Sequence, residues 1–378
     1  MRTILIAMLS TVLVAGVLCS MAMAAEPPLP LGLPAVPVPA DNPQSPAKIK
    51  LGEKLFLDKR FSATGQVACA NCHDAAKAFT DSPLSVSLGI NNLTGTRNAP
   101  TVLNAAYNRL QFWDGREPTL EAQSQQPFLN PVEMGLPNHD PILKIVRSDA
   151  EYGPLFSEAF GKTGAQITMR EVSQAIAAFE RTKISGNSPF DRWYFGHDEQ
   201  ALPENAKRGF EVFIGQGRCV SCHTISQTHA LFTDGRFHNL NVGFGKIDKD
   251  APAMVSAFSA AKKRGANVDI AVLSNKSTSE LGRFAVTDSW DDLGSFKTST
   301  LRNIELTAPY MHDGSLATLE EVVDFYNNGG RVKDSDPPAN AFQSGGIRPL
   351  NLDAAQKEEL VAFLKSLTSP EIAKASVK

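Results

Sequence analysis

Residues Cys69–Asp81 read CANCHDAAKAFTD, and a second C-x-x-C-H pentapeptide, CVSCH, occupies Cys219–His223. The chain contains five cysteines, so four of them belong to these two copies. Each copy follows an amphipathic segment that contains glycine, AKIKLGEKLFLDKRF at 47–61 and NAKRGFEVFIGQG at 205–217. A repeated unit of this kind predicts two domains of one type.

The pentapeptide is the attachment pattern of c-type haem. Two thiols about one helical turn apart can bond to the two vinyl groups of one porphyrin, and the next residue then presents an imidazole to the iron. The sequence therefore predicts two covalently bound haem c groups. The expected tethers and proximal iron ligands are Cys69, Cys72, Cys219 and Cys222, with His73 and His223.

Two other uses of the cysteines were weighed. A four-cysteine zinc site would pair the two C-x-x-C units, but it would leave the histidine after each unit unexplained. A disulfide inside each C-x-x-C unit would be strained and redox-active rather than structural. Covalent haem explains all six side chains.

Length and charge set the broad class. The chain has 378 residues, which favours two domains, each large enough to bury a core. Its formal net charge of −3 gives no indication of a nucleic-acid partner.

The N-terminal segment predicts export. Residues 1–25 have a basic start, an apolar run and small residues at the end, which is the layout of a secretory signal peptide. A membrane anchor is the alternative, and the small-residue exit argues against it. Cys19 follows Leu18 rather than a small residue, which disfavours a lipoprotein. We expect a periplasmic protein with no membrane span after cleavage.

The rest of the chain divides into a leader and two domains. The proline-rich segment 26–46 is expected to be extended on the surface or disordered. An N-terminal domain at 47–198 would end with the helical segment EVSQAIAAFERTKI, and a C-terminal domain at 199–370 would end with DAAQKEELVAFLKSLTS. Alternation typical of strands is scarce, so the predicted fold is mostly α.

From about Leu51 to Leu367 the chain resembles the bacterial dihaem cytochrome c peroxidases and their MauG-like relatives. The resemblance rests on the two C-x-x-C-H motifs and on a series of strings in family order: LGEKLFLDKRFS, GTRNAPTVLNAAYN, QFWDGR, NPVEMG, LGRF and TLRNIELTAPYMHDGSLATLEEVVDFYNNGG. It implies two cytochrome c-like haem domains in tandem. The N-terminal haem would be peroxidatic, and the C-terminal haem would transfer electrons.

The resemblance also implies roles for single residues. Glu133 in NPVEMG matches the distal acid–base group, and Gln123 matches a second distal residue. Trp113 in QFWDGR matches the tryptophan between the haems, and Asn98 in GTRNAP matches a ligand of an interdomain Ca²⁺. Judged alone, Trp113 reads as a core aromatic, and Glu133 and Asn98 read as helix-end or turn residues.

The sixth ligands distinguish the two expected haems. Classical members of the family carry a histidine in the loop after the first C-x-x-C-H, and alignment on RNAP places Ile90 there. Isoleucine cannot bind iron, so the first haem is expected to have an open site. For the second haem we favour Met311 of APYMHDG as the sixth ligand, since a thioether stabilises ferrous iron and raises the reduction potential of the haem. His312 is the rival, and simple packing of Met311 is the other alternative.

The expected activity is reduction of hydrogen peroxide with electrons from a small periplasmic cytochrome c or cupredoxin. A MauG-like oxidase that modifies a partner protein and a non-catalytic dihaem electron carrier are the alternatives. MauG itself has tyrosine where this chain has Met311, which favours the peroxidase. Family members are often dimers, so a homodimer is a further expectation. The remaining histidines sit in polar loop contexts and are expected at the surface: His139, His197, His229 and His238.

Overall fold

The computed structural model describes residues 29–331 and 340–376. The expected signal peptide therefore lies outside the described residues. The first half contains α1 (Pro46–Leu57), α2 (Cys69–Cys72), α3 (Leu120–Gln123), α4 (Gln126–Leu129), α5 (Asp140–Ser148), α6 (Tyr152–Phe160), α7 (Met169–Glu180) and α8 (Pro189–Tyr194). The second half contains α9 (Glu204–Ile214), α10 (Ala251–Lys263), α11 (Val268–Ser274), α12 (Lys276–Ser279), α13 (Phe284–Thr287), α14 (Leu319–Asn327), α15 (Ala354–Lys365) and α16 (Pro370–Ser376).

Strand structure is slight in the described part of the chain. It comprises β1 (Phe237–His238) and β2 (Phe296–Lys297), which pair antiparallel with Phe237 opposite Lys297. The mostly helical fold is confirmed. In the described ranges, no helix has the length and apolar character required to cross a bilayer.

The two halves repeat one helix crossing. In the first half α1 packs against α7, and in the second half α9 packs against α15. Each crossing places a glycine on the backbone of the partner helix. A Cβ on Gly52 would lie 1.9 Å from the carbonyl oxygen of Ala175, and one on Gly209 would lie 1.8 Å from that of Glu359. Only glycine permits an approach this close, so these two glycines position the helix that precedes each C-x-x-C-H motif.

Apolar burial forms a core in each half and a third core within the second half. The first lies around α1, α6 and α7, and the second around α9, α14 and α15. The third is built by α10, α11 and α13, with Phe244, Val255, Phe258, Val272 and Phe284 among its buried residues. No pattern in the sequence indicated this third core.

The leader has an irregular, extended course over residues 29–45, but it does not lie only on the surface. Gly32 accepts a hydrogen bond from Arg302 Nη2 in the second half, at 2.7 Å. Asn42, 1% exposed, donates to the carbonyl oxygen of Gln174 in α7, at 2.9 Å. The leader therefore bridges both halves of the molecule.

Candidate active site

The first C-x-x-C-H motif forms a single helical turn. Asn71 Oδ1 accepts a hydrogen bond from the backbone N–H of Ala68 at 2.9 Å and closes the start of α2. His73 follows α2, and its Nδ1 lies 3.3 Å from the carbonyl oxygen of Phe79. This contact leaves Nε2 as the ligand atom. Burial lowers the pKa of His73, which favours the neutral imidazole that binds iron.

The second motif repeats this arrangement. His223 N–H donates to the carbonyl oxygen of Cys219 at 2.8 Å, and its Nδ1 lies 2.8 Å from that of Phe232. Again Nε2 is left for a metal. Burial lowers the pKa of His223 as well. Each motif thus presents two thiols and one oriented imidazole, which is what a covalently attached haem requires.

The geometry does not favour the two rival uses of the cysteines. All four thiols are free rather than paired. Among residues 29–331 and 340–376, the groups of side chains close enough to share a metal do not join the two C-x-x-C units. Burial raises the pKa of Cys72 and Cys219 to about 12, as expected for thiols that are shielded from water.

A cavity of about 490 Å³ lies beside the second motif. Cofactor sites typically have volumes of about 300–1,000 Å³. Cys222 and His223 line one part of the cavity, and Met311, Tyr326 and Trp113 line others. The tethers, the imidazole and the thioether therefore surround one space, and these residues fit a haem.

His312 is committed elsewhere. Its Nε2 lies 2.9 Å from Glu280 Oε2, and its ring is stacked on Phe296 with centroids 3.6 Å apart. Lys246 binds the other oxygen of Glu280 at 2.7 Å. Met311 makes no such ion pair and has a left-handed backbone, with φ of +73°. The arrangement leaves Met311 as the side chain better placed for a sixth ligand.

An internal repeat carries the same turn into the first half. Residues 111–115 (QFWDG) correspond to 310–314 (YMHDG), and each turn is closed by a bridge to the residue six positions on. Phe112 stands where the second half has Met311, and its backbone is also left-handed, with φ of +66°. Phenylalanine cannot bind iron. By this correspondence, the first half lacks the methionine ligand available to the second.

Glu133 lies on a tight turn at 130–135. Its N–H donates to Asn130 O at 3.0 Å, and its own carbonyl oxygen accepts from Ile90 N–H at 2.8 Å. Glu133 Oε2 is buried and has no hydrogen-bond partner. Burial and the negative charge of Asp269 raise the pKa of Glu133, and Arg116 lowers it. The net pKa is about 8. A carboxyl group near this pKa can accept and donate a proton close to neutral pH.

Ile90 packs directly beside this turn. A Cβ on Gly135, whose φ is +69°, would lie 2.3 Å from Ile90 Cδ1. Ile90 is 8% exposed and belongs to the core of the first half. At this position the loop after the first motif provides an apolar contact instead of a ligand.

Two further expected site residues, Trp113 and Asn98, lie between the two halves. Trp113 Nε1 donates to Asn98 O at 2.8 Å, and Asn98 N–H donates to His312 O at 2.8 Å. The Asn98 amide meets the carbonyl oxygens of Leu84 and Ser85, at 3.3 Å and 3.2 Å from Nδ2. Oxygen donors of this kind suit Ca²⁺, although the calcium site stays a prediction. Gln123 ends α3 and is half-buried.

His238 is a functional candidate that the sequence reasoning missed. It lines the cavity of the second half, and its Nε2 lies 2.8 Å from Asp234 Oδ2. A hydrogen bond with Cys222 and the Asp234 carboxylate raise the pKa of His238 to about 9. Of the histidines expected at the surface, His197 is exposed and His139, His229 and His238 are half-buried. The four-residue spacing of Asp234 and His238 was the available signal.

Comparison with known proteins agrees with this geometry. Residues 46–199 match the family model described as di-haem cytochrome c peroxidase. The methylamine utilization protein MauG of Methylorubrum extorquens is 35% identical over 88% of this chain and 81% of its own length. Cytochrome c551 peroxidase of Nitrosomonas europaea is 34% identical over 98% of this chain and 92% of its own length.

A solved structure is also similar over most of its length. It is a MauG-like protein associated with microbial copper homeostasis, with 35% identity and a TM-score of 0.75. The similarity covers 92% of this chain and 97% of that one. The resemblance therefore extends across both halves and is not confined to the haem motifs.

Proposed function

The chain belongs to the di-haem cytochrome c peroxidase family, and on this premise we propose that it reduces hydrogen peroxide to water in the periplasm. The electrons would come from a small monohaem cytochrome c or a cupredoxin. One H₂O₂, two electrons and two protons give two molecules of water. Two c-type haems are a property of the family, and the roles of single residues below are part of the proposal.

The observation that carries the proposal is the environment of Glu133. Its Oε2 is buried without a partner, and its pKa of about 8 lets it hold or release a proton near neutral pH. We assign Glu133 the transfer of a proton from one peroxide oxygen to the other, so that water can leave. Gln123 would orient the peroxide from the end of α3.

The two halves would divide the remaining work. His73 would hold the first haem with Cys69 and Cys72, and His223 would hold the second with Cys219, Cys222 and Met311. When bound, haem supplies the iron chemistry that cleaves the peroxide bond and stores or passes electrons. Trp113 lines the cavity of the second half and its Nε1 donates a hydrogen bond to Asn98 O, so we place it on the electron route.

Ile90 and Phe112 support an accessible first site. Each occupies a position where the family or the internal repeat offers a metal ligand, and neither side chain can bind iron. The first haem would therefore accept peroxide without the prior release of a histidine.

A MauG-like oxidation of a partner protein is the second candidate. Relatives named MauG and relatives named cytochrome-c peroxidase are equally similar to this chain, at 34–36% identity. Met311 favours the peroxidase, because the family resemblance places a tyrosine at this position in MauG.

The experiment compares purified wild-type protein with Glu133→Gln. Peroxide-dependent oxidation of a reduced small cytochrome c should be rapid for the wild type and lower by about 10²–10⁴-fold in the variant. Both should retain two haems by absorption. Equal rates would remove Glu133 from the proposal, and a wild type that does not oxidise the cytochrome would favour the MauG-like activity.

A further inference from the structure

A buried row of charges connects the two halves of the molecule near Glu133. Arg116, from the first half, donates from Nε and Nη2 to Asp269 Oδ1 at 2.8 Å and 2.6 Å. Asp269 lies in α11 and is 6% exposed, so this ion pair joins the second half to the first inside the protein. Arg116 also lies over the ring of Phe112, 3.5 Å from its centroid.

The row continues away from Asp269. Arg116 Nη1 donates to Asp114 Oδ1 at 3.0 Å, and Arg97 Nη1 donates to Asp114 Oδ2 at 2.6 Å. Arg97 also donates from Nε and Nη2 to the hydroxyl and the carbonyl oxygen of Ser279. Two arginines and two aspartates thus balance in charge, as buried ions must.

The second oxygen of Asp269 holds the turn that carries Glu133. Asn130 Nδ2 donates to Asp269 Oδ2 at 2.6 Å. Asn130 Oδ1 accepts from Val132 N–H at 3.1 Å, and Asn130 O accepts from the N–H groups of Glu133 and Gly135, at 3.0 Å and 2.9 Å. Asn130 therefore accepts hydrogen bonds from the backbone of Val132, Glu133 and Gly135, which together stabilise the turn.

Packing reinforces this link. Val132 contacts the third core, which belongs to the second half. Asn130 is 0% exposed, so no water replaces its contact with Asp269. The turn at 130–135 is held from outside its own domain by one polar and one apolar contact.

We propose that Asp269 is a positioning residue for Glu133: from the second half it holds the turn at 130–135 through Asn130 and, with Arg116, places a buried ion pair against this turn. The inference rests on the proposed function only where Glu133 is given a catalytic role. The hold on the turn itself does not depend on the reaction.

Several charged groups face Glu133. Asp269 on α11 and Arg116 before α3 act on it directly, and their neighbours are Asp114, Arg97 and Glu117. The charge of Glu133 also acts on the thiols of Cys69 and Cys72 on α2. Neutralising Asp269 leaves the Arg116 cation without its partner. Glu133 should then ionise at a lower pH, because a neighbouring cation favours the carboxylate.

The test uses the haem-loaded, full-length chain with two variants and a control. Asp269→Asn removes the charge and places an amide N–H₂ against either Arg116 or Asn130, both of which are donors. Asn130→Ala breaks the same link but leaves the Arg116–Asp269 pair intact. Asp291→Asn changes an exposed aspartate in the same half and serves as the control.

The first readout is hydrogen–deuterium exchange of peptides that cover 130–135. In both variants the amides of this turn should exchange roughly tenfold faster than in the wild type, with the control unchanged. The double variant Asn130→Asp/Asp269→Asn exchanges the two side chains, so that an amide at 269 can donate to a carboxylate at 130. This variant should recover the protection of the turn amides against exchange. Protection that stays at the wild-type level in Asp269→Asn and Asn130→Ala would overturn the proposed hold.

The second readout is the infrared band of the protonated Glu133 carboxyl group, identified by its loss in Glu133→Gln. In Asp269→Asn the band should disappear at a pH lower by about 1–2 units, while Asn130→Ala should show a smaller change. An unchanged titration in Asp269→Asn would overturn the electrostatic part. If Glu133→Gln keeps full peroxide turnover while both readouts respond as expected, the proposed function fails and the positioning role stands.

Discussion

His312 Nε2 lies 2.9 Å from Glu280 Oε2, and this contact occupies a ring nitrogen of the histidine that lines the cavity of the second half beside Met311. Lys246 holds Glu280 and Asp313 together at the edge of the same site, at 2.7 Å and 3.2 Å. The ion cluster fixes His312 and leaves the thioether of Met311 as the donor that lines the cavity without an ion-pair partner.

Met311→Leu should therefore lower the potential of the second haem. A thioether stabilises ferrous iron, and axial ligands shift haem potentials within a span of about 0.8 V, so we expect a fall on the order of 0.1 V. Redox titration followed by absorption measures it. Met254→Leu, in the third core, is the matched control. A wild-type potential in Met311→Leu would show that Met311 only packs.

The pH dependence of peroxide turnover should report the ionisation of Glu133. Burial raises the pKa of Glu133 to about 8, so the carboxyl group is mostly protonated at neutral pH and becomes a base as the pH rises. The value of kcat/KM should then increase from about pH 6 to about pH 9, with a midpoint near 8. The residual activity of Glu133→Gln should lack this step. A rise that persists in the variant would assign it to another group.

Glu180 should make the stability of the protein depend on pH. It is 6% exposed, its Oε2 has no partner, and burial raises its pKa to about 8 from an ordinary value of 4.5. Below the ordinary value both the folded and the unfolded state bind the proton. Between the two values only the folded state does, so the free energy of unfolding contributed by this group declines as the pH rises toward 8.

Glu180→Gln cannot ionise and should remove this contribution. Thermal unfolding at about pH 5 and about pH 9 should show a smaller loss of Tm in the variant than in the wild type. Glu158→Gln, at an exposed position of α6, provides the comparison. Parallel losses of Tm in all three proteins would contradict a buried, protonated Glu180.

Local patterns predicted the parts of the fold that depend on nearby residues. The helices α1, α7, α9 and α15 follow from a regular spacing of apolar residues, and the two haem motifs follow from the fixed chemistry of their ligands. The third core was missed, because its helices resemble surface helices until they pack on one another. The link from Asn130 to Asp269 spans 139 positions, and no spacing rule connects residues so far apart.

The candidate site residues show the same difference between local and distant features. Glu133 and Trp113 were identified from motifs, whereas the surroundings that give them chemical character come from distant segments. Asp269 approaches Glu133 from the second half, and Lys297 N–H donates to Trp113 O at 2.8 Å from β2. Sequence reasoning named these two candidate side chains but could not predict the distant residues that surround them.

Trp113→Phe should slow electron transfer between the two haems. Trp113 lines the cavity of the second half, and its Nε1 is anchored to Asn98 O at 2.8 Å, so the indole is held in one orientation. Phenylalanine is smaller, lacks the N–H and is harder to oxidise. Stopped-flow absorbance after addition of peroxide should show slower oxidation of the second haem. Trp290→Phe, at an exposed position, should match the wild type. Equal rates in all three would exclude Trp113 from the route.

Gly52→Ala should destabilise the first half by about 1–3 kcal/mol, because the new methyl group overpacks a tight helix crossing. Its Cβ would lie 1.9 Å from Ala175 O and 2.8 Å from Phe179 Cβ, so α1 must move away from α7. Gly153→Ala is the matched control, since Gly153 also lies in a helix and its Cβ would meet nothing within 4 Å. There the lower entropy of the unfolded chain should stabilise the protein by about 0.4–1 kcal/mol. Chemical denaturation of the haem-loaded proteins measures both. A Gly52→Ala protein as stable as Gly153→Ala would mean that the α1–α7 crossing adjusts without loss, and the repeated glycine would then have no structural role.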